Sequence, residues 1–102
     1  MIYLRKVEGD SMLPTFRAGQ VVVVSMVRRF KVGDIVVAFM DRREVIKRVT
    51  KIKEGAVLLE GDNKKASTDS RELGWLPDRH VLGRVIFPLP KNARYKSLRS
   101  RK

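Results

Sequence analysis

Apolar residues fall in short, β-branched runs. Val21, Val22, Val23 and Val24 form the first, and Ile35, Val36, Val37, Ala38 and Phe39 the second. Residues 45–52 alternate between apolar and polar, and residues 57–59 and 81–87 supply further runs. Runs of roughly four to eight such residues predict strands. The residues between them suit turns: Ala18-Gly19-Gln20, Val32-Gly33-Asp34, Asp41-Arg42-Arg43 and Lys53-Glu54-Gly55. Glycine and aspartate favour the tight backbone that closes a hairpin. No stretch keeps a helical period for three turns, although residues 70–73 can form a single one. The pattern therefore predicts an all-β chain folded into a compact, mostly antiparallel barrel or curled sheet.

Residues 61–77 break the pattern, being polar and poor in strand formers. A loop this long in a small domain is usually functional or disordered. Pro88 and Pro90 end the last run and separate it from a basic tail. The expected organisation is one domain over residues 1–90 and a tail over residues 91–102, with no internal repeat.

Composition narrows the chemistry. The 102 residues contain no cysteine, so neither a disulfide nor a thiolate metal site is available. One histidine, His80, excludes a multi-histidine metal centre. No cofactor is expected. The formal net charge is +12, and Lys91, Arg94, Lys96, Arg99, Arg101 and Lys102 occur in the tail without an acid. Such charge favours polyanions, whether nucleic acid or anionic lipid headgroups. No segment reaches the roughly 20 apolar residues that span a bilayer. The first six residues, which carry charge, do not resemble a signal peptide. The expected state is soluble or peripheral to a membrane, with the tail as the contact.

Three segments carry candidate chemistry. In the first, Ser11 lies between Gly9-Asp10 and Met12, with Pro14 three positions on. Glycine permits a positive φ, and proline fixes the exit direction. Such a turn can present a hydroxyl at a sheet rim while its amide faces an oxyanion. It can equally be an ordinary turn serine. In the second, Lys47 alternates with Val45 and Val49. On a strand, these three share a face. If that face is buried, desolvation disfavours the ammonium, and a neutral lysine can act as a base toward serine. If the strand lies at an edge, the amine reaches water past its valines. The third segment, residues 60–74, holds Asp62, Asn63, Ser67, Asp69 and Arg71. Asp69 and Arg71 have the same parity and can form a charge-assisted pair. A hydrophilic surface loop is the alternative.

Together these segments resemble the type I signal peptidases. Gly9-Asp10-Ser11-Met12-Leu13-Pro14-Thr15 is similar to that family's nucleophile box, and Val45-Ile46-Lys47-Arg48-Val49 to its lysine box. Gly61-Asp62-Asn63, then Ser67, then Asp69-Ser70-Arg71 and Gly74 resemble its last box. Val32-Gly33-Asp34-Ile35-Val36 and Val81-Leu82-Gly83-Arg84-Val85 match strands between and after these boxes. Several boxes in order carry more weight than one GDSM. The resemblance runs from about residue 7 to 87.

It implies a serine endopeptidase that uses a Ser-Lys dyad and removes N-terminal signal or leader peptides from precursors. Ser11 would attack, Lys47 would take its proton, and the Ser11 backbone amide would donate to the oxyanion. Ser67 would orient the Lys47 amine, Asp69 and Arg71 would brace that corner, and Asp62 and Asn63 would shape the loop. Some members place a hydroxyl two residues before the nucleophile, where this chain has Gly9. The implied fold is the β-architecture shared with LexA-type self-cleaving domains. Two departures stand out: only six residues precede Val7, whereas the family usually has an N-terminal anchor, and the usual insertion before the last box is absent. Short, anchorless relatives include the maturation proteases of nickel-type superoxide dismutase.

Two other function classes compete. A nucleic-acid-binding barrel fits the charge, but it leaves Ser11 and Lys47 unexplained, and 7% aromatic residues give few stacking platforms. No specific nucleic acid is expected. A LexA-type self-cleaving domain would need a cleavable segment upstream of Ser11. His80 is expected to be structural. Trp75 is expected to pack in the core, with a membrane interface as the alternative.

Overall fold

The computed structural model describes residues 1–26, 29–65 and 74–88. The chain is all-β. Its strands are β1 (Ile2–Lys6), β2 (Val21–Ser25), β3 (Ile35–Met40), β4 (Arg43–Lys53), β5 (Ala56–Glu60), β6 (Leu76–Pro77) and β7 (Val81–Pro88). A single 3-10 turn, Asp78–His80, leads into β7. The strands form one seven-stranded sheet in the order β1-β2-β7-β3-β4-β5-β6, with every neighbouring pair antiparallel.

Each predicted run lies in a strand. The hairpin between β3 and β4 turns on Asp41 and Arg42, with φ of 54° and 69°. Two positive φ values suit the right-handed twist of the strands they join. Gly55, at φ 78°, serves the β4–β5 hairpin. The pattern did not disclose β1. Its residues, Ile-Tyr-Leu-Arg-Lys, lack strict alternation, because Tyr3 packs inward while Ile2 and Leu4 face the other way. Nor did it disclose the two residues of β6, at the end of the polar stretch.

Burial explains the continuous apolar run of β3. Val37 joins one core cluster with Val7, Met12, Phe16, Val22 and Val24. Val36 and Ala38 join a second with Val49, Val57, Leu59 and Val81. A strand buried on both faces needs apolar residues at both parities. The sheet also curls. In its order β1 and β4 are separated by three strands, yet Arg5 on β1 donates from Nε to Oε1 of Glu44 on β4 at 2.8 Å.

Gly83 marks a close approach between β7 and β2. A Cβ there would lie 2.6 Å from the Ser25 carbonyl oxygen, 2.7 Å from Val24 Cγ1 and 3.2 Å from the Tyr3 hydroxyl. A paired strand carbonyl has little room to move. Gly83→Ala should therefore destabilise the fold by about 2 kcal/mol, an overpacking cost, and lower the Tm by roughly 10 °C. An unchanged Tm in calorimetry would show that the strands separate more easily than this.

Trp75 departs from the expected core position. It is 40% exposed, and the Lys53 ammonium lies 4.3 Å from its ring centroid. It precedes β6, the last strand in the sheet order among the described residues.

Candidate active site

The turn that carries Ser11 is built from its neighbours. Val7 continues the β1–β2 pairing, with its amide donating to Gln20 O and its carbonyl accepting from the Gly19 amide, both at 2.7 Å. Gly9 then takes φ 75°, the positive value that glycine adopts without strain. Met12 and Phe16, 1% and 5% exposed, anchor the turn in the first core cluster. Phe16 N donates to Met12 O at 2.9 Å, and the Leu13–Pro14 peptide is cis. Ser11 itself stays half-buried at the rim.

Lys47 comes from β4. It pairs in register with Val36 on β3 and shares a face with Val45 and Val49. The structure thus gives the buried alternative for this face, with Lys47 only 9% exposed. Among the described residues it is the one polar or charged residue that is buried.

Ser11 and Lys47 line one groove of about 500 Å³. Its walls are residues 5–12, running from β1 into the Ser11 turn, and residues 43–47, the first part of β4. Each wall carries one candidate catalytic residue at or next to its end.

A second contact system lies behind the groove. Asp62 accepts from Arg48 Nε at 2.8 Å and from Arg48 Nη2 at 2.7 Å, and it also accepts from the Thr15 hydroxyl. Arg48 Nη1 donates to Gly33 O at 2.6 Å. Beside Asp62, the Asn63 amide donates to Ser11 O at 2.8 Å, and its Nδ2 donates to Asp10 O at 3.0 Å. The Asp62–Asn63 loop is therefore bonded to the Ser11 turn on one side and to β4 on the other. Lys47 lines the groove, while Arg48, the next residue of β4, reaches this loop. Hydrogen bonds from the Arg48 guanidinium hold the Asp62 carboxyl below the usual carboxylate range, against a smaller opposing effect of burial, and the Thr15 hydroxyl adds to the lowering.

Arg48, the partner that sequence reasoning missed, follows the candidate base directly. Its signal was a second cation on the opposite strand face, with an acid in the later Gly-Asp-Asn segment to receive it. Ser67, Asp69 and Arg71, expected to support the dyad, lie outside the described residues, as does the basic tail. Among the described residues no group of His, Asp and Glu is arranged to hold a metal ion, and no helix is long and apolar enough to cross a membrane.

His80 lies in the 3-10 turn and does not line the groove. Its Nδ1 is buried without a hydrogen-bond partner among the described residues, so none of their carboxylates orients it as in a Ser-His-Asp triad. His80→Ala should keep most of the activity, within about three-fold, because the imidazole has no place in a Ser-Lys pair. A kcat loss above about 100-fold in a folded variant would point to a histidine mechanism.

A comparison with curated proteins finds no match. A comparison with protein families finds one described as Peptidase S24-like, matching residues 1–86. That match spans both walls of the groove and the loop behind them. It is broader than the resemblance to signal peptidases, showing a serine peptidase without distinguishing removal of signal peptides from self-cleavage. The chain belongs to the Peptidase S24-like family.

Proposed function

We propose that this chain is a serine endopeptidase that cleaves N-terminal signal or leader segments from precursor proteins, with Ser11 as nucleophile and Lys47 as general base. The observation that carries the reading is one groove lined by both Ser11 and Lys47, the latter enclosed by core residues. Burial of an amine penalises its charged form, which is what a base toward serine needs. A neutral Lys47 takes the Ser11 proton as Ser11 Oγ attacks the scissile carbonyl. The Ser11 amide donates to the developing oxyanion, and the protonated amine then delivers a proton to the leaving nitrogen. Water repeats the sequence to release the acyl group. Asp62 and Asn63 hold the turn in place, and Ser67, Asp69 and Arg71 complete the support. The catalytic domain in this reading covers residues 1–90. The tail over residues 91–102 gives peripheral contact with anionic lipid.

The test is direct. A lysate of the source cells is incubated with wild-type protein or with Ser11→Ala, and the newly formed N-termini are sequenced. New termini should form with the wild type alone, each following a removed N-terminal segment. Identical termini with both proteins would overturn the proposal.

The family match equally favours a second reading, self-cleavage of the LexA type. The two differ in molecularity. Self-cleavage within one chain proceeds at a fractional rate independent of protein concentration, whereas cleavage of a separate precursor scales with enzyme concentration.

A further inference from the structure

The groove has a chemical polarity along its length. Glu8 and Asp10 lie toward the Ser11 end, with Lys47 on the facing wall. At the far end are Arg5, Lys6 and Arg43, with Glu44 as the one acid among these four lining residues. Arg5 and Glu44 close this end from opposite walls. Arg5 Nε donates to Oε1 at 2.8 Å, and Arg5 Nη2 donates to Oε2 at 3.3 Å. The pair is reachable from solvent, with side chains 44% and 40% exposed. Arg5 is also oriented from behind: its Nη1 donates to Leu4 O at 3.0 Å, and its guanidinium lies 4.5 Å from the Tyr3 ring centroid. The Arg5 hydrogen bond holds the Glu44 carboxyl below its ordinary range, so Glu44 stays charged at neutral pH and offsets one of the three cations.

Strand spacing sets the distance between this end and the chemistry. Glu44 precedes Lys47 by three residues on β4, or roughly 10 Å at about 3.3 Å per residue. An extended peptide in the groove advances by the same rise. Its side chain at least about three positions from the cut bond meets the Arg5–Glu44 pair.

We propose that the far end of the groove is a specificity subsite for an acidic side chain of the substrate, at least about three residues from the cut bond. Arg5, Lys6 and Arg43 supply the recognising charge. The incoming carboxylate shares the Arg5 fork with Glu44 and draws on the cations to either side, as forked guanidinium donors suit carboxylates. A basic side chain at that position meets the excess positive charge instead. The inference rests on the peptidase reading of the groove and adds the charge class of its substrates.

The test separates binding from cleavage. Short fluorescent peptides span a cut site identified from the new N-termini. They differ at single positions, three to five residues to either side of it, carrying Glu, Gln or Lys. Their affinity is measured on Ser11→Ala protein at low salt, and their cleavage on wild-type protein. At one of these positions Glu should bind roughly three- to five-fold more tightly than Gln, and Lys more weakly than Gln, the range expected for exposed charges. The difference should shrink as salt is raised. Lys6→Glu combined with Arg43→Glu should invert the order while leaving the Arg5–Glu44 pair in place. Equal affinities for Glu, Gln and Lys at every position, or an order unchanged by the double reversal, would overturn the subsite. Charge-dependent binding of these peptides to Ser11→Ala would uphold the subsite even where wild type leaves them uncut, whereas the peptidase reading itself falls only with identical termini from wild type and Ser11→Ala.

Discussion

Lys47→Arg and Lys47→Met should each lower cleavage by about 10³-fold or more, and Ser11→Ala should abolish it. The expectation follows from what each substitution leaves. Guanidinium keeps its proton throughout the accessible pH range, so arginine retains the charge and loses the base. Methionine keeps an unbranched apolar stem in a site that is 9% exposed and removes the amine altogether. A general base and its nucleophile act as a unit, so losing either should cost nearly as much as losing both. The double variant Ser11→Ala/Lys47→Met should be no worse than Ser11→Ala alone. Stability separates the roles. Ser11 is a half-buried turn residue, and Ser11→Ala should change the Tm little. Lys47→Met removes both the desolvation cost of a buried amine and the interaction that amine makes, so its Tm shift should be small beside the loss of activity. Substantial activity in a folded Ser11→Ala protein would remove Ser11 from the mechanism.

Asp62→Ala should have the next largest effect, and it should act on both stability and turnover. The substitution removes both oxygens that receive the Arg48 fork and the Thr15 hydroxyl. Arg48 keeps its bond to Gly33 O but is left with an unpaired charge in a half-buried place. Breaking a part-buried pair from one side should cost about 2 kcal/mol, less than for a fully buried pair because Arg48 keeps access to water. The loop also loses its side-chain tie to β4, which loosens the link it makes between the Ser11 turn and the Lys47 strand. Turnover should fall by roughly 10- to 100-fold, with kcat affected more than KM, as positioning losses do. Arg48→Lys should recover part of the stability and little of the turnover, because an ammonium cannot reproduce the fork.

The same contact gives a pH dependence with a definite sign. The folded carboxyl of Asp62 is held below its ordinary range. Its stabilisation is therefore fully present above the unfolded value, about 3.9, and is lost as pH falls through the lower folded value. Glu44, lowered by its hydrogen bond to Arg5, behaves in the same direction. Denaturant midpoints should fall on acidification below about pH 4, and Asp62→Asn should flatten that decline. An equally steep decline in the variant would assign the acid sensitivity to other carboxylates.

Much of the fold was legible because the strands are β-branched and their turns carry glycine. β2, β3, β4, β5 and β7 could be read from periodicity, and buried residues at both parities of β3 explain its unbroken run. β1 was not legible, since its charged half masks the alternation. The sheet order was not legible either, because pairing β7 between β2 and β3 depends on contacts far apart in sequence. Ser11 and Lys47 stood out through their boxes. Their placement on a common groove depends on the curl, which local pattern does not encode. Arg48 and Glu44 escaped for the same reason: a charge on a strand gains meaning from its partner, and Asp62 and Arg5 arrive from elsewhere in the chain.

The claim at the centre is that Lys47 gives up its proton to become the base. Cleavage of a peptide substrate is measured across pH, beside a direct titration of the Lys47 side-chain nitrogen by NMR in Ser11→Ala protein saturated with that peptide. The mechanism predicts that the rising limb of the single-turnover rate follows deprotonation of Lys47, with coincident midpoints. Cleavage already maximal at a pH where Lys47 remains fully protonated would contradict it.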